Sequence, residues 1–333
     1  RNKKRVNYLR RILPKIIEQT QITCFLSCGM YYARNIDWEI ACEEIGIPFL
    51  CLHREGVGVD ANLRKKNMAP LVCNYRKFYG SKLLVGNNAF KDILVSNNYI
   101  DSEKISVVGV PRADLFVNYE KKPKKNKGKI VLFSFPHTAL LTAMAKKEKK
   151  KFFCEKKKMG FYDLFYDVHT MLSLFAIENP DIDVIIKPKW YSGDWKVHID
   201  KSIDAALNIK GKNSRIPNLR VIDDISAKKL IIDSSLVIAF NSSVILESVI
   251  AKIPVVIPSY LEASSKHSDS VAWISYLDRL NFAKSSSELK NYLNNYQDVR
   301  IIEVGTTNEM IAEAFGYGDG KNTERLYSQI KHY

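Results

Sequence analysis

The chain has 333 residues, 46% of them hydrophobic, and its 51 Lys and Arg against 36 Asp and Glu give a formal charge of +15. That length suits two domains of ordinary size, each able to bury a core, and no run of about 18 uncharged apolar residues is present to span a membrane. The excess of positive charge favours an anionic partner: nucleic acid, a phosphorylated substrate or an acidic membrane surface. The basic opening, RNKKRVNYLRRILPKIIEQ, lacks the apolar core and cleavage site of a secretory signal. It starts on Arg1 and not on Met, as expected of a piece of a longer protein. Cys24, Cys28, Cys42, Cys51, Cys73 and Cys154 form no CxxC pair, so they read as core residues of a reducing compartment, not as a zinc site or a disulfide frame.

Residues 1 to 20 are predicted to form an amphipathic helix, with Val6, Leu9, Ile12, Leu13, Ile16 and Ile17 on one side and basic residues on the other. Ile22 to Gly29 reads as a strand, Asp37 to Ile45 as a helix, and Ile47 to His53 as a second strand that exits into the loop Arg54 to Asp60. A helical segment is expected from there to about Tyr79, followed by the strand KLLVG, a helix over Asn88 to Asn97 and the strand Ile105 to Gly109. Strands alternating with helices predict a parallel sheet with helices on its faces.

After GVPRADLF (Gly109 to Phe116) the regular pattern gives way to the lysine-rich KKPKKNKGK, Lys121 to Lys129. This shift places an N-terminal domain at 1–118, a linker at 119–128, a C-terminal domain at 129–308 and a helical segment at 309–333. The second alternation opens with the strand Lys129 to Thr138. It continues with a helix over Phe161 to Glu178, the strand Asp183 to Trp190, a helix near Ile199 to Ile209, the strand LRVID and a helix over Ala227 to Ile232. Leu236 to Ser259 then reads as strand, turn, helix and strand. The tail is expected to be helical, broken at GYGDGK and resumed over Glu324 to Ile330.

Several candidate functional residues fall at strand ends, where open α/β sheets bind ligands. Asn241, Ser242 and Ser243 precede a helix, where free N–H groups suit phosphate; serines there also serve simply as helix caps. Lys187 and Lys189 flank Pro188 and suit a diphosphate, or a phosphate plus a carboxylate. Glu247, one turn into the helix, is a candidate for a ribose diol. Glu55 is the leading candidate for acid–base work, with Asp60 in reserve, and His137 can bind phosphate or protonate a leaving group. Arg54, Gly56, Arg112 and Trp190 complete the set. The chain has no GxxxxGK[ST], HExxH or GxSxG and no metal-binding Cys/His spacing, so ATP hydrolysis, zinc proteolysis and serine hydrolysis lose weight.

Taken in order, LHREGVG, GVPRADLF, FSFPHT, VIIKPKW and AFNSSVILESVIAKIPVV, with the late FGYGDGKNTERL, resemble bacterial surface-carbohydrate glycosyltransferases of the GT-B architecture. The likeness runs from about His53 to the end. It implies an α/β fold of two doubly wound Rossmann-like domains facing a cleft, the first for the acceptor and the second for a nucleotide-sugar. It also implies chemistry without a metal or a cofactor. A narrower similarity is to CMP-Kdo transferases and bacterial sialyltransferases, whose Asp/Glu-Gly motif maps onto Glu55-Gly56 and whose paired serines map onto Ser242-Ser243. Their His-Pro motif has no counterpart, because Lys187-Pro188-Lys189 stands at that strand end.

The expected function is transfer of a sugar from a nucleotide donor, a CMP-ulosonic acid such as Kdo first and a UDP- or GDP-sugar next, to a growing capsule or lipopolysaccharide chain. The expected location is cytoplasmic, peripheral on the inner membrane face, with Lys146 to Lys158 as the contact to anionic lipid. The alternatives are a polyol-phosphate transferase or a sugar-nucleotide epimerase on the same fold, and a basic nucleic-acid-binding protein. No specific nucleic acid is expected, because the basic residues cluster in loops without interleaved aromatics.

Overall fold

A computed structural model describes the whole chain except residues 1, 31–32, 55–58, 67–76, 120–127, 142–158 and 214. It divides into two compact units, the first made of Arg1–Val57, Arg64–Asn118 and Asn308–Tyr333 and the second of Gly58–Leu63 and Tyr119–Thr307. Helices α1 (Lys3–Thr20), α2 (Ala33–Ile45), α3 (Asn88–Ser96) and α4 (Asp114–Val117) lie in the first unit. Helices α5 (Tyr162–Glu178), α6 (Gly193–Ile209), α7 (Ala227–Asp233), α8 (Val244–Ile250) and α9 (Ser286–Asn294) lie in the second. The chain returns through α10 (Val304–Ala314) to α11 (Asn322–Ile330) in the first unit.

The sheet of the first unit is parallel, with strands β1 (Phe25–Cys28), β2 (Phe49–Leu52), β3 (Lys82–Val85) and β4 (Ile105–Val107) in chain order. Side chains alternate across a strand, so Phe49, Cys51, Leu83 and Val85 share a core with Val6, Leu9 and Leu13 of α1 and Phe90 and Leu94 of α3. Leu50, Leu84 and Val108 belong to a separate cluster, against which Leu326 and Ile330 of α11 pack. The last helix therefore packs on the core of the first unit.

Buried polar groups fasten this tail. Arg64 Nη1 donates to the Glu313 carbonyl at 2.7 Å and Asn87 Nδ2 to the Ala314 carbonyl at 2.7 Å, satisfying acceptors that the end of α10 leaves open. Asp114 does the converse for α11. Its Oδ1 accepts from the Asn322 amide at 3.1 Å and from Asn322 Nδ2 at 2.9 Å, and its Oδ2 accepts from the Thr323 amide and hydroxyl, each at 2.8 Å. A carboxylate at a helix N-terminus satisfies open N–H groups and opposes the helix dipole. Gly109 approaches the same place: with φ at +78°, an added Cβ would come within 1.8 Å of Asn322 Oδ1, so only glycine fits.

The second unit carries a six-stranded parallel sheet of β5 (Lys129–Phe133), β6 (Asp183–Lys187), β7 (Leu219–Val221), β8 (Leu236–Ala239), β9 (Val255–Pro258) and β10 (Asn281–Ala283). Their order across the sheet is β10-β9-β8-β5-β6-β7. The chain moves outward from β5 through β6 and β7, then returns to lay β8 on the other side of β5, which is the Rossmann strand order. β8 and β9 are buried throughout, as expected of strands covered on both faces. Glu262 caps α5 from far along the chain, its carboxylate accepting from the amides of Asp163 at 2.7 Å and Leu164 at 3.0 Å.

Local departures from the sequence reading have simple causes. The helix expected to continue to about Tyr79 is helical at residues 61–66 among the described residues, and residues 77–79 are not helical. α6 begins at Gly193, earlier than the apolar pattern from Ile199 indicates. β10 and α9 occupy a stretch to which the sequence reading assigns no element: the three-residue strand is too short to display alternation, whereas α9 carries a capping signal at Ser285 and Glu288 that this reading overlooks. Among the described residues no helix is long and apolar enough to cross a membrane. The Lys146 to Lys158 run lies outside the described residues.

Candidate functional site

Where the strand order of a doubly wound sheet reverses, the loops on either side diverge and leave a crevice at the carboxyl ends of the strands. A cavity of about 340 Å³ lies there in the second unit. Phe133, Ser134, Phe135 and Pro136 line it from the end of β5, Lys187, Pro188 and Lys189 from the end of β6, and Phe240, Asn241 and Ser242 from the end of β8. Trp195 of α6 and Ala227 of α7 complete the wall.

The topology thus brings Lys187, Lys189, Asn241 and Ser242 to one cavity. Lys187 Nζ donates to the carbonyls of Pro188 and Asp223, each at 2.9 Å, which fixes the ammonium and leaves a third N–H. Burial draws its pKa down, against the opposing pull of Asp223 and Asp224. Lys189 Nζ sits 5.1 Å from the ring centroid of Trp190, a cation–π contact. Trp190 is 49% exposed and meets Trp195 edge-on at 5.6 Å.

Asn241 and Ser242 hold the turn between β8 and α8. Asn241 Nδ2 donates to the carbonyls of Ala139 and Ser270, at 3.0 and 2.9 Å, so neither amide proton remains for a phosphate. Ser242 Oγ accepts from the Val244 amide at 3.3 Å. Ser243 takes the N-cap position in a helical conformation without a side-chain capping bond, and it does not line the cavity. Glu247 does not line it either, being buried within α8, whose residues are all buried.

Other candidates lie elsewhere. His137 follows β5 but is fully buried outside the cavity wall, and burial, with a smaller push from His198, lowers its pKa to about 4. Asp60 is 2% exposed, with Oδ1 accepting from the Leu63 amide at 3.0 Å and Oδ2 from the Trp273 amide at 2.7 Å. Both oxygens thus hold the backbone. Glu55 and Gly56 lie outside the described residues. Arg54 and Arg112 line a different cavity, of about 300 Å³, at the ends of β2 and β4 in the first unit, together with His53 and Leu326. His53 stacks on Phe90 at 4.7 Å, and burial pushes its pKa down to about 3, so it is neutral.

Sequence reasoning overlooked Ser134, Trp195 and His169. Ser134 Oγ lies 2.9 Å from His169 Nε2 and 2.9 Å from Trp195 Nε1. The one available signal was the place of Ser134 at a strand end. Among the described residues, no group of three or more His, Cys, Asp or Glu side chains is placed to hold a metal ion.

The chain matches no protein-family model and no curated protein. Solved structures do resemble it. The UDP-GlcNAc 2-epimerase of Methanocaldococcus jannaschii, solved with UDP-GlcNAc and UDP, aligns over 98% of this chain and 81% of its own at 12% identity, with a TM-score of 0.52. That of Neisseria meningitidis, bound to UDP-GlcNAc, aligns over 98% and 81% at 14% identity and 0.52. A further UDP-N-acetylglucosamine 2-epimerase aligns over 98% and 77% at 12% identity and 0.53. At these identities the likeness is one of fold, and the chain has an α/β architecture with two parallel, helix-covered sheets of the GT-B kind.

Proposed function

We propose that this chain is a nucleotide-sugar enzyme, a glycosyltransferase whose second unit holds the donor in the cavity at the ends of β5, β6 and β8. The observation that carries the reading is the meeting of Lys187 and Ser242, from two different strand ends, in one aromatic-walled cavity at the sheet reversal. In glycosyl transfer the acceptor hydroxyl oxygen bonds the anomeric carbon and gives its proton to a base, while the bond from that carbon to the phosphate oxygen breaks and the phosphate departs with the electron pair. A cation held in place before the reaction stabilises that charge without reorganising. Lys187, tethered by two carbonyls, is such a cation.

The fold neighbours named for UDP-GlcNAc support a UDP-linked donor ahead of a CMP-ulosonic acid, and no comparison supports the narrower likeness to CMP-Kdo transferases and sialyltransferases. The acceptor, a growing surface polysaccharide, is assigned to the first unit on the resemblance of LHREGVG and GVPRADLF. Action in the cytoplasm, at an anionic membrane face reached through Lys146 to Lys158, belongs to the same proposal.

A second reading is C2 epimerisation of a UDP-sugar, the activity for which those three neighbours are named. Incubation with UDP-GlcNAc separates the two. An epimerase forms the C2 epimer with no acceptor present, whereas a glycosyltransferase releases nucleotide in proportion to acceptor. A thermal-shift panel of CMP, CDP, UDP and GDP identifies the base, because a specific ligand raises the melting temperature by mass action.

A further inference from the structure

One wall of the second-unit cavity contains a hydrogen-bond relay whose polarity is fixed by its partners. His169 of α5 is fully buried, with Nδ1 2.7 Å from the Phe165 carbonyl oxygen. A carbonyl only accepts, so Nδ1 carries the proton. Burial keeps the ring neutral, its pKa pushed down to about 4, and Nε2 therefore presents a lone pair. Ser134 Oγ lies 2.9 Å from that nitrogen and must donate to it. Trp195 Nε1, which can only donate, gives its proton to the same oxygen at 2.9 Å. The hydroxyl has then committed its one proton and one of its two lone pairs.

We infer that Ser134, which lines the cavity, is an obligate hydrogen-bond acceptor there and selects a ligand group bearing an O–H or N–H, with His169 and Trp195 as its positioning residues. The groups of that class on a nucleotide-sugar are the ribose and sugar hydroxyls and the N–H groups of the base or an acetamido substituent. The diphosphate diester of a nucleotide-sugar is fully ionised at neutral pH, carries no O–H and offers Ser134 nothing. The inference rests on the nucleotide reading above and deepens it, placing the phosphates toward Lys187 and a hydroxyl- or N–H-bearing part of the ligand against Ser134. Without His169 the hydroxyl would be free to rotate and donate, and this discrimination would be lost.

The test is calorimetric titration of wild type, Ser134→Ala, His169→Phe and the double variant with CMP, CDP, UDP, GDP, UDP-GlcNAc and P1,P2-dimethyl diphosphate, a diester with no proton to donate. Ser134→Ala is expected to weaken the tightest nucleotide ligand by roughly 2- to 10-fold, the size of one net hydrogen bond, and to leave the diphosphate diester unchanged. His169→Phe frees the serine proton, so the diphosphate diester binds a similar factor more tightly, and the double variant loses that gain. A merely space-filling role for His169 would not produce that reversal. Equal weakening of the diphosphate diester and nucleotide by Ser134→Ala, or no effect on any ligand, overturns the inference. Ser134→Ala removes a single oxygen and carries the test alone if His169→Phe does not fold. Failure of every nucleotide and of UDP-GlcNAc to bind wild type overturns the nucleotide reading and this inference with it, whereas nucleotide binding that ignores Ser134 overturns only the inference.

Discussion

Asn241 Oδ1 accepts a hydrogen bond from the amide of Ala272 at 2.8 Å, while its Nδ2 holds the carbonyls of Ala139 and Ser270. One side chain thus ties the end of β8 to the segments after β5 and before residue 273, and it does so from a left-handed backbone at φ +50°, which Asn tolerates better than most residues. Asn241→Ala removes all three bonds and leaves a strained alanine. It is expected to cost about 2 to 4 kcal/mol in urea denaturation and to weaken nucleotide binding, with Asn241→Gly relieving the strain but not the lost bonds. A fully stable Asn241→Ala variant would show that the latch does not hold the turn.

The tail offers a separate test. Asp114 accepts four hydrogen bonds from Asn322 and Thr323, so Asp114→Ala leaves buried donors of α11 without their partner. A loss of about 2 to 4 kcal/mol is expected, with faster amide exchange across residues 322–330 than across β3. Gly109→Ala should act on the same helix by displacing Asn322. Unchanged exchange in both variants would contradict the anchoring of the tail.

Glu39 in the first unit is 1% exposed, and burial raises its pKa to about 7 against the lowering effect of the Tyr79 amide. Between about pH 4.5 and 7 the folded state holds a proton that the unfolded state has lost, so this group makes stability fall as pH rises through that window. Glu39→Gln should remove the fall and gain about 1 to 3 kcal/mol at pH 8. A variant less stable than wild type at pH 8 would mean that the carboxylate is needed ionised.

Histidines act with the opposite sign. In the second unit, burial pushes both His137 and His169 down from 6.5 to about 4. Between those values the unfolded state binds protons that the folded state refuses, so stability is lost as pH falls from 6.5 toward 4. Urea melts across that range are expected to show proton uptake on unfolding. A pH-independent midpoint in the Glu39→Gln background, where the opposing slope is removed, would exclude buried neutral rings.

The sequence made parts of this structure legible for a physical reason. Central parallel strands buried on both faces read as unbroken apolar runs, which is why KIVLF, DVIIK and LVIA stand out, whereas the three-residue β10 does not. Lys187, Lys189 and Ser242 were visible because each lies at, or within three residues of, the end of a strand, and parallel topology gathers such positions at one edge. His169 and Trp195 reach Ser134 from 35 and 61 residues away, a proximity that only the packed helices α5 and α6 create. Glu247 looked available on a helix because its burial is set by neighbours that the sequence does not place.

The most direct test of the nucleotide cavity is calorimetric titration of CMP, CDP, UDP and GDP into wild type and Lys187→Ala. At least one nucleotide should bind wild type, and the variant, folded by circular dichroism, should bind it roughly 10- to 150-fold more weakly, the scale of a lost charge-assisted hydrogen bond. Equal affinity in the two proteins, or no binding to either, would contradict the account.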